Sequence, residues 1–64
     1  MLVRVNAPPE EAVVTIQGVS TVSHAEVGVD GIIATPTRPE IDPRPDIARA
    51  VVQSGWNLIE LRPL

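Results

Sequence analysis

The sequence has no cysteine, no lysine and a single aromatic residue, Trp56. Without cysteine, neither a disulfide nor a thiolate metal site can stabilise the fold, and one histidine cannot build a zinc site alone. The basic residues are five scattered arginines, set against eight acidic residues, which gives a net charge of −3. Because there is no basic stripe and no aromatic platform on which bases could stack, nucleic acid is not expected as a partner.

Long hydrophobic runs are also missing. The longest apolar runs are a few residues long, against the roughly 20 that a transmembrane helix needs, and the N-terminus does not resemble a signal peptide. The 64 residues, 44% of them hydrophobic, are enough for one small domain. A core of this size rarely supplies more than roughly 3–5 kcal/mol. We therefore expect added stability from a partner surface, from self-association or from covalent attachment to a larger neighbour, in a cytoplasmic setting that suits a cysteine-free chain.

The hydrophobic pattern alternates between strand and helix periods. Glycine or proline marks most of the boundaries, and Asp42 is a plausible N-cap for the second helix, with Gly55 at the left-handed position that ends it. Asp30-Gly31 is a two-residue hairpin signal. The predicted elements are a strand at Leu2–Val5, a helix from Pro8-Pro9 to Gln17, strands at Val22–Val29 and Gly31–Thr37, a helix from Pro43 to Ser54, and a strand at Trp56–Leu61.

This order, strand, helix, strand, strand, helix, strand, predicts a ferredoxin-like α+β fold. A four-stranded antiparallel sheet would carry both helices on one face. Residues 1–64 would form a single small domain. Strict alternation along the strands then assigns seven residues to the helix-covered face: Val3, Val5, Ala25, Val27, Ile33, Ile59 and Leu61.

The same alternation leaves large apolar side chains on the open face of the sheet. The residues concerned are Leu2, Ile32, Ala34, Trp56 and Leu58. An antiparallel sheet usually shows a polar open face, and an exposed apolar patch marks an interface, for which tryptophan is a frequent anchor. The sequence therefore predicts an interface formed by these five residues.

No group of residues predicts an enzyme, a cofactor site or a metal site. His24 alternates with Glu26 on a strand and is best explained as an exposed histidine. Glu10 and Glu11 are adjacent on a helix, so their side chains point apart, and their charge suits the positive helix end. The acidic residues near Pro43 are explained by helix capping, and no glycine-rich phosphate loop is present.

The closing stretch D-P-R-P-D-I-A-R-A-V-V-Q-S-G-W-N-L-I-E-L-R-P-L resembles a small C-terminal accessory domain carried by ATP-binding subunits of certain ABC transporters, including multidrug exporters and gliding-motility ATPases. The resemblance covers nearly the whole chain, mainly through packing and turn signals. The counterparts of the family pattern are Ile16 to Val19, Val22 to Val29, Asp30-Gly31, Ile47 to Gly55, and Leu58 to Arg62. Family members usually continue into an S-L-E-x-x-F-like helix, which indicates that this chain is a piece of a longer protein.

The resemblance implies a non-catalytic domain that packs against the nucleotide-binding domain of the same chain or against a second copy of itself. ATP and Mg²⁺ would belong to the parent protein, because no Walker or signature motif lies within these residues. Contact with the transmembrane subunits would be indirect, at the cytoplasmic face of the membrane.

Two alternatives share the predicted topology. A small-molecule sensor of the ACT type typically has a glycine between the first strand and the first helix, where this chain has Asn6-Ala7-Pro8-Pro9. An acylphosphatase-like enzyme would need an arginine-bearing anion loop and a strand asparagine, and Arg4 and Asn57 do not form that arrangement. Both alternatives fit the residues less well than the transporter accessory domain.

Overall fold

A computed structural model describes residues 1–63 of the chain, so that Leu64, the last residue of the predicted domain, lies outside the described part. Six elements follow one another in the order β-α-β-β-α-β. Their bounds are β1 Leu2–Val5, α1 Pro9–Gln17, β2 Val22–Val27, β3 Ile32–Pro36, α2 Arg44–Gln53 and β4 Leu58–Arg62. The predicted ferredoxin-like α+β fold is confirmed.

The strands form one sheet in the order β2-β3-β1-β4, and every neighbouring pair is antiparallel. β1 and β3 lie in the centre, while β2 and β4 form the two edges. β1 pairs with β4 from Leu2 to Val5, but it pairs with β3 only at Leu2 and Val3. The two halves of the sheet are thus joined over a short stretch, and each edge belongs to a separate strand pair.

Both helices bury one narrow stripe against the sheet. Ala12 and Ile16 of α1 and Ile47 and Val51 of α2 are fully buried, each pair spaced four residues apart. This spacing puts both members of a pair on the same side of a helix. The helices therefore contribute to one shared core with the inner face of the sheet.

The start of α2 lies close to the predicted position. Its N-cap is Pro43 rather than Asp42, and the Asp42 carboxylate accepts a hydrogen bond from the Arg44 N–H at 3.1 Å. Asp42 therefore still satisfies one of the free N–H groups of the first turn. Gly55 follows the C-cap with φ of 81°, as predicted for a glycine at that position.

The β2–β3 connection differs from the predicted two-residue turn at Asp30-Gly31. β2 ends at Val27, which pairs with Ile32, and residues 28–31 form the connection. Gly31 lies where a Cβ atom would be 2.7 Å from the Val3 carbonyl oxygen, and its φ is 153°. Glycine is required there because β1 passes close to the turn, a contact that local turn chemistry does not indicate.

Two of the seven residues predicted to face the helices, Ile33 and Ile59, are not part of the core, and each has its own cause. Ile33 pairs with Leu2 on the open face, while Ile32 pairs with Val3 in the core. The run Ile32-Ile33-Ala34 is apolar on both faces, so alternation alone does not define its inward side, and a shift of one residue exchanges the faces. Ile59, also predicted to face the helices, is 58% exposed.

The second cause is an irregularity in β4. The register passes from Arg4 opposite Glu60 to Val5 opposite Leu58, so Ile59 is the extra residue of a β-bulge. Because a bulge breaks strict alternation, Leu58 and Leu61 both pack against the core although they are three residues apart.

Candidate interaction edge

The predicted apolar patch is not formed. Ile32 and Ala34 are 3% and 1% exposed within the helix-covered core, and Trp56 and Leu58 are half-buried against that core. Four of the five predicted interface residues therefore stabilise the domain itself. Leu2 alone pairs onto the open face, and it is only 3% exposed.

Charged side chains occupy the open face beside Leu2. The Arg4 guanidinium lies 3.3 Å from one carboxylate oxygen of Glu60, and the Arg62 guanidinium lies 3.2 Å from the other. These side chains are between a third and three-fifths exposed, so the ion pairs add little to stability. They place the Glu60 carboxylate between the guanidinium groups of Arg4 on β1 and Arg62 on β4.

The polar residues that invite a catalytic interpretation lie apart and in solvent. His24 and Glu26 are exposed on β2, as predicted, and Glu10 is exposed in the first turn of α1. Asp42 and Arg44 form an ion pair of 2.8 Å, and the side-chain hydrogen bond from Arg44 holds the pKa of Asp42 below its ordinary value of 3.8. Within residues 1–63, no three His, Asp or Glu side chains are close enough to hold a metal ion together.

The free edge of β2 is covered by one side chain. The Gln17 side-chain oxygen accepts a hydrogen bond of 2.7 Å from the Ala25 N–H, and its amide nitrogen donates one of 3.1 Å to the Ser23 carbonyl. The amide thus takes the place that a neighbouring strand would occupy. Covering an edge in this way prevents pairing with another chain.

The orientation of the main chain in β4 follows from its neighbours. The N-terminal ammonium group of Met1 donates a hydrogen bond of 2.9 Å to the Ala34 carbonyl, and the Ala34 N–H donates one of 2.8 Å to the Met1 carbonyl, so the main chain of Met1 faces β3. Peptide groups alternate in direction along a strand, and therefore Leu2 and Arg4 direct theirs toward β4. The 3.2 Å hydrogen bond from the Asn6 N–H to the Asn57 carbonyl agrees with this alternation.

Opposite these residues, Arg62 and Glu60 direct their peptide groups back toward β1. The Leu61 N–H and C=O consequently point away from the sheet. Among residues 1–63, neither the main-chain hydrogen bonds outside the regular elements nor the side-chain hydrogen bonds include one to these two groups. The β4 edge is therefore open where the β2 edge is covered.

An exposed apolar side chain lies on α2, the helix that packs against β4. The groove between the helices is lined on the α2 side by Asp46, Arg49, Ala50 and Gln53. Val52, which is 68% exposed, lies outside this groove and outside the buried stripe of Ile47 and Val51.

A small cleft opens at the end of the sheet where β1 and β3 separate. Its volume is about 140 Å³, and it lies between the β2–β3 connection and the start of α1. Val5, Ala7, Pro9 and Ile59 supply apolar lining, and Arg4 and Asp30 are also among the ten residues around it. The cleft is open to solvent and mainly apolar.

No known protein family, curated protein or solved structure matches this chain significantly. In the described part of the chain, neither helix is long and apolar enough to cross a membrane.

Proposed function

We propose that this chain is a non-catalytic interaction domain that docks through the free edge of β4. The observation that carries the proposal is the difference between the two edges. Gln17 covers the main chain of β2, while the Leu61 peptide groups are open and Ile59 lies exposed on the same strand. Extended segments bind such an edge by adding a strand, and the main-chain hydrogen bonds supply the affinity.

The parent protein that suits this role best is the ATP-binding subunit of an ABC transporter. Support comes from the resemblance of the closing helix and strand, Ile47 to Gly55 and Leu58 to Arg62, and from the βαββαβ order that the accessory domain shares. The chain would then pack against the nucleotide-binding domain of its own subunit or against a second copy. ATP and Mg²⁺ bind in the parent, at the cytoplasmic face of the membrane, and contact with transmembrane subunits is indirect.

The coding sequence that flanks these residues tests the transporter assignment. The proposal expects a nucleotide-binding domain with Walker motifs upstream. A parent gene without one would overturn the assignment to ABC transporters. It would not overturn docking through β4, which a binding measurement tests separately.

Docking through β4 is tested by Ile59→Lys, because lysine on an edge strand discourages strand addition. The matched control is Val14→Lys, at a side chain that is 70% exposed on α1, the helix that packs over β2 and β3. Sedimentation and titration calorimetry against the rest of the parent should show weaker association for the Ile59 variant only. Equal effects of both substitutions, or no effect of either, would contradict the proposal.

The cleft beside β1 favours a second candidate function, an ACT-like regulatory domain that senses a small molecule. The cleft has a volume of about 140 Å³, is mainly apolar and includes Asp30 among its lining residues, so a small molecule with an amino group would suit it. A thermal-shift survey with the free amino acids tests this. Saturable stabilisation by one of them, lost in Asp30→Asn, would favour sensing, and an unchanged melting temperature with all of them would exclude it.

A further inference from the structure

We propose that the occupant of the β4 edge is the β4 edge of a second copy of this chain, paired antiparallel about a two-fold axis at Leu61. This inference rests on the proposed docking role of β4 and names its partner. The two four-stranded sheets would join into one sheet of eight strands, with all four helices on the same side. A two-fold axis that sets Leu61 opposite Leu61 in one sheet is perpendicular to that sheet. Leu61 therefore faces the core on the same side in both copies.

Charge selects this register. With Leu61 opposite Leu61, Glu60 of each copy stands opposite Arg62 of the other. A pairing centred on Glu60 or on Arg62 would instead set like charges directly opposite each other, which destabilises a strand pair. The side chains of both residues lie on the open face, at side-chain exposures of 33% and 58%. They are accessible to a partner there.

The main chain suits the same register. Because the Leu61 peptide groups point outward, the two Leu61 residues can exchange both main-chain hydrogen bonds. The adjacent Glu60–Arg62 positions then form pairs without main-chain hydrogen bonds, in which side chains come closest. The β2 edge cannot take part in an equivalent pairing without displacing Gln17.

The new strand pair adds burial to a small domain. A chain of this length buries a smaller fraction of its surface than a larger domain does, so pairing of two copies supplies burial that a single core lacks.

A charge-swap experiment tests the register. Glu60→Arg places arginine opposite arginine in a homodimer, and Arg62→Glu places glutamate opposite glutamate. Mixed together, the two variants form a heterodimer in which each arginine again faces a glutamate. By sedimentation equilibrium, we expect a dimer for the unsubstituted chain, a roughly tenfold or larger rise in the dissociation constant for each variant alone, and recovery in the equimolar mixture. Circular dichroism verifies that each variant is folded.

A cysteine cross-link provides a second measurement that does not depend on charge. The chain has no cysteine, so Leu61→Cys introduces a single thiol. Directly opposite residues in a hydrogen-bonded pair are about 5.5 Å apart, within the range that a disulfide spans. Mild oxidation should give a covalent dimer much faster for Leu61→Cys than for the control Val14→Cys.

The outcomes separate this inference from the docking role. A chain that is monomeric at millimolar concentration overturns the dimer, and so does a dimer that neither charge variant weakens or whose mixture does not recover. If Ile59→Lys still weakens binding to the rest of the parent, docking through β4 stands without self-pairing. If it affects neither process, both proposals fail.

Discussion

Replacement of Gln17 by alanine removes both hydrogen bonds that cover the β2 edge, at 2.7 and 3.1 Å. Each intramolecular hydrogen bond contributes about 0.5–1.5 kcal/mol net, and Gln17 is exposed, so water replaces part of what is lost. We expect a loss of about 1–2 kcal/mol in the free energy of unfolding. In a domain of this size each kcal/mol shifts the melting temperature by about 4–8 °C.

The assay is chemical and thermal unfolding followed by circular dichroism, combined with amide hydrogen exchange. In the alanine variant the Ala25 amide should exchange much faster, and the open β2 edge should increase aggregation. Gln17→Glu separates the two bonds, because a carboxylate can still accept from the Ala25 N–H but cannot donate to the Ser23 carbonyl. That variant should lose stability while it retains protection at Ala25.

Unchanged exchange at Ala25 together with an unchanged melting temperature in Gln17→Ala would contradict the proposed cover of the β2 edge by Gln17. It would mean that the side-chain amide does not cover β2 in solution. The contrast between the two edges would then no longer distinguish β4.

Three further predictions concern stability. Gly31→Ala should cost about 1–3 kcal/mol because its Cβ would lie 2.7 Å from the Val3 carbonyl oxygen, whereas Gly18→Ala, in ordinary contact at 3.5 Å, should be neutral or slightly stabilising by urea denaturation. Ile47→Ala should cost about 2–5 kcal/mol, enough to unfold much of the population, since Ile47 is fully buried; a folded variant with an unchanged denaturation midpoint would contradict the described core. The ion pair of Asp42 with Arg44 lowers the pKa of Asp42, so its stabilising effect is complete above the ordinary value of 3.8 and is lost as the pH falls through the lowered pKa. Unfolding midpoints measured over a pH series should therefore show that Asp42→Asn is less stable than the unsubstituted chain at pH 6. The two should be equally stable at a pH below the lowered pKa of Asp42, and a difference independent of pH would count against this ion pair.

The order of the elements could be predicted from the sequence because each has a local signal. Four-residue spacing in Ala12–Ile16 and Ile47–Val51 identifies the buried helix stripes, and Gly55 marks the end of α2. These signals depend on residues close together in the chain. They establish the fold class without any knowledge of which strands are neighbours.

The faces of β3 and β4 could not be predicted in the same way. Alternation places Ile32 and Ala34 on the open face because the adjacent Ile33 is equally apolar, and only pairing with β1 decides between the two faces. Alternation also places Leu58 outward, because it does not anticipate the bulge at Ile59. The covered edge of β2 was missed as well, since Gln17 and Ala25 meet only after the strand packs beside the helix.

Amide hydrogen exchange measured at low and high protein concentration distinguishes the covered β2 edge from the β4 edge that pairs with a second copy. We expect Ala25 to be protected at both concentrations, because Gln17 covers it within one molecule. Leu61 should exchange rapidly when the protein is dilute and become protected when it is concentrated, because its N–H finds a partner only in a second copy. Protection at Leu61 that does not depend on concentration, or rapid exchange at Leu61 under both conditions, would contradict the pairing of β4 with a second copy.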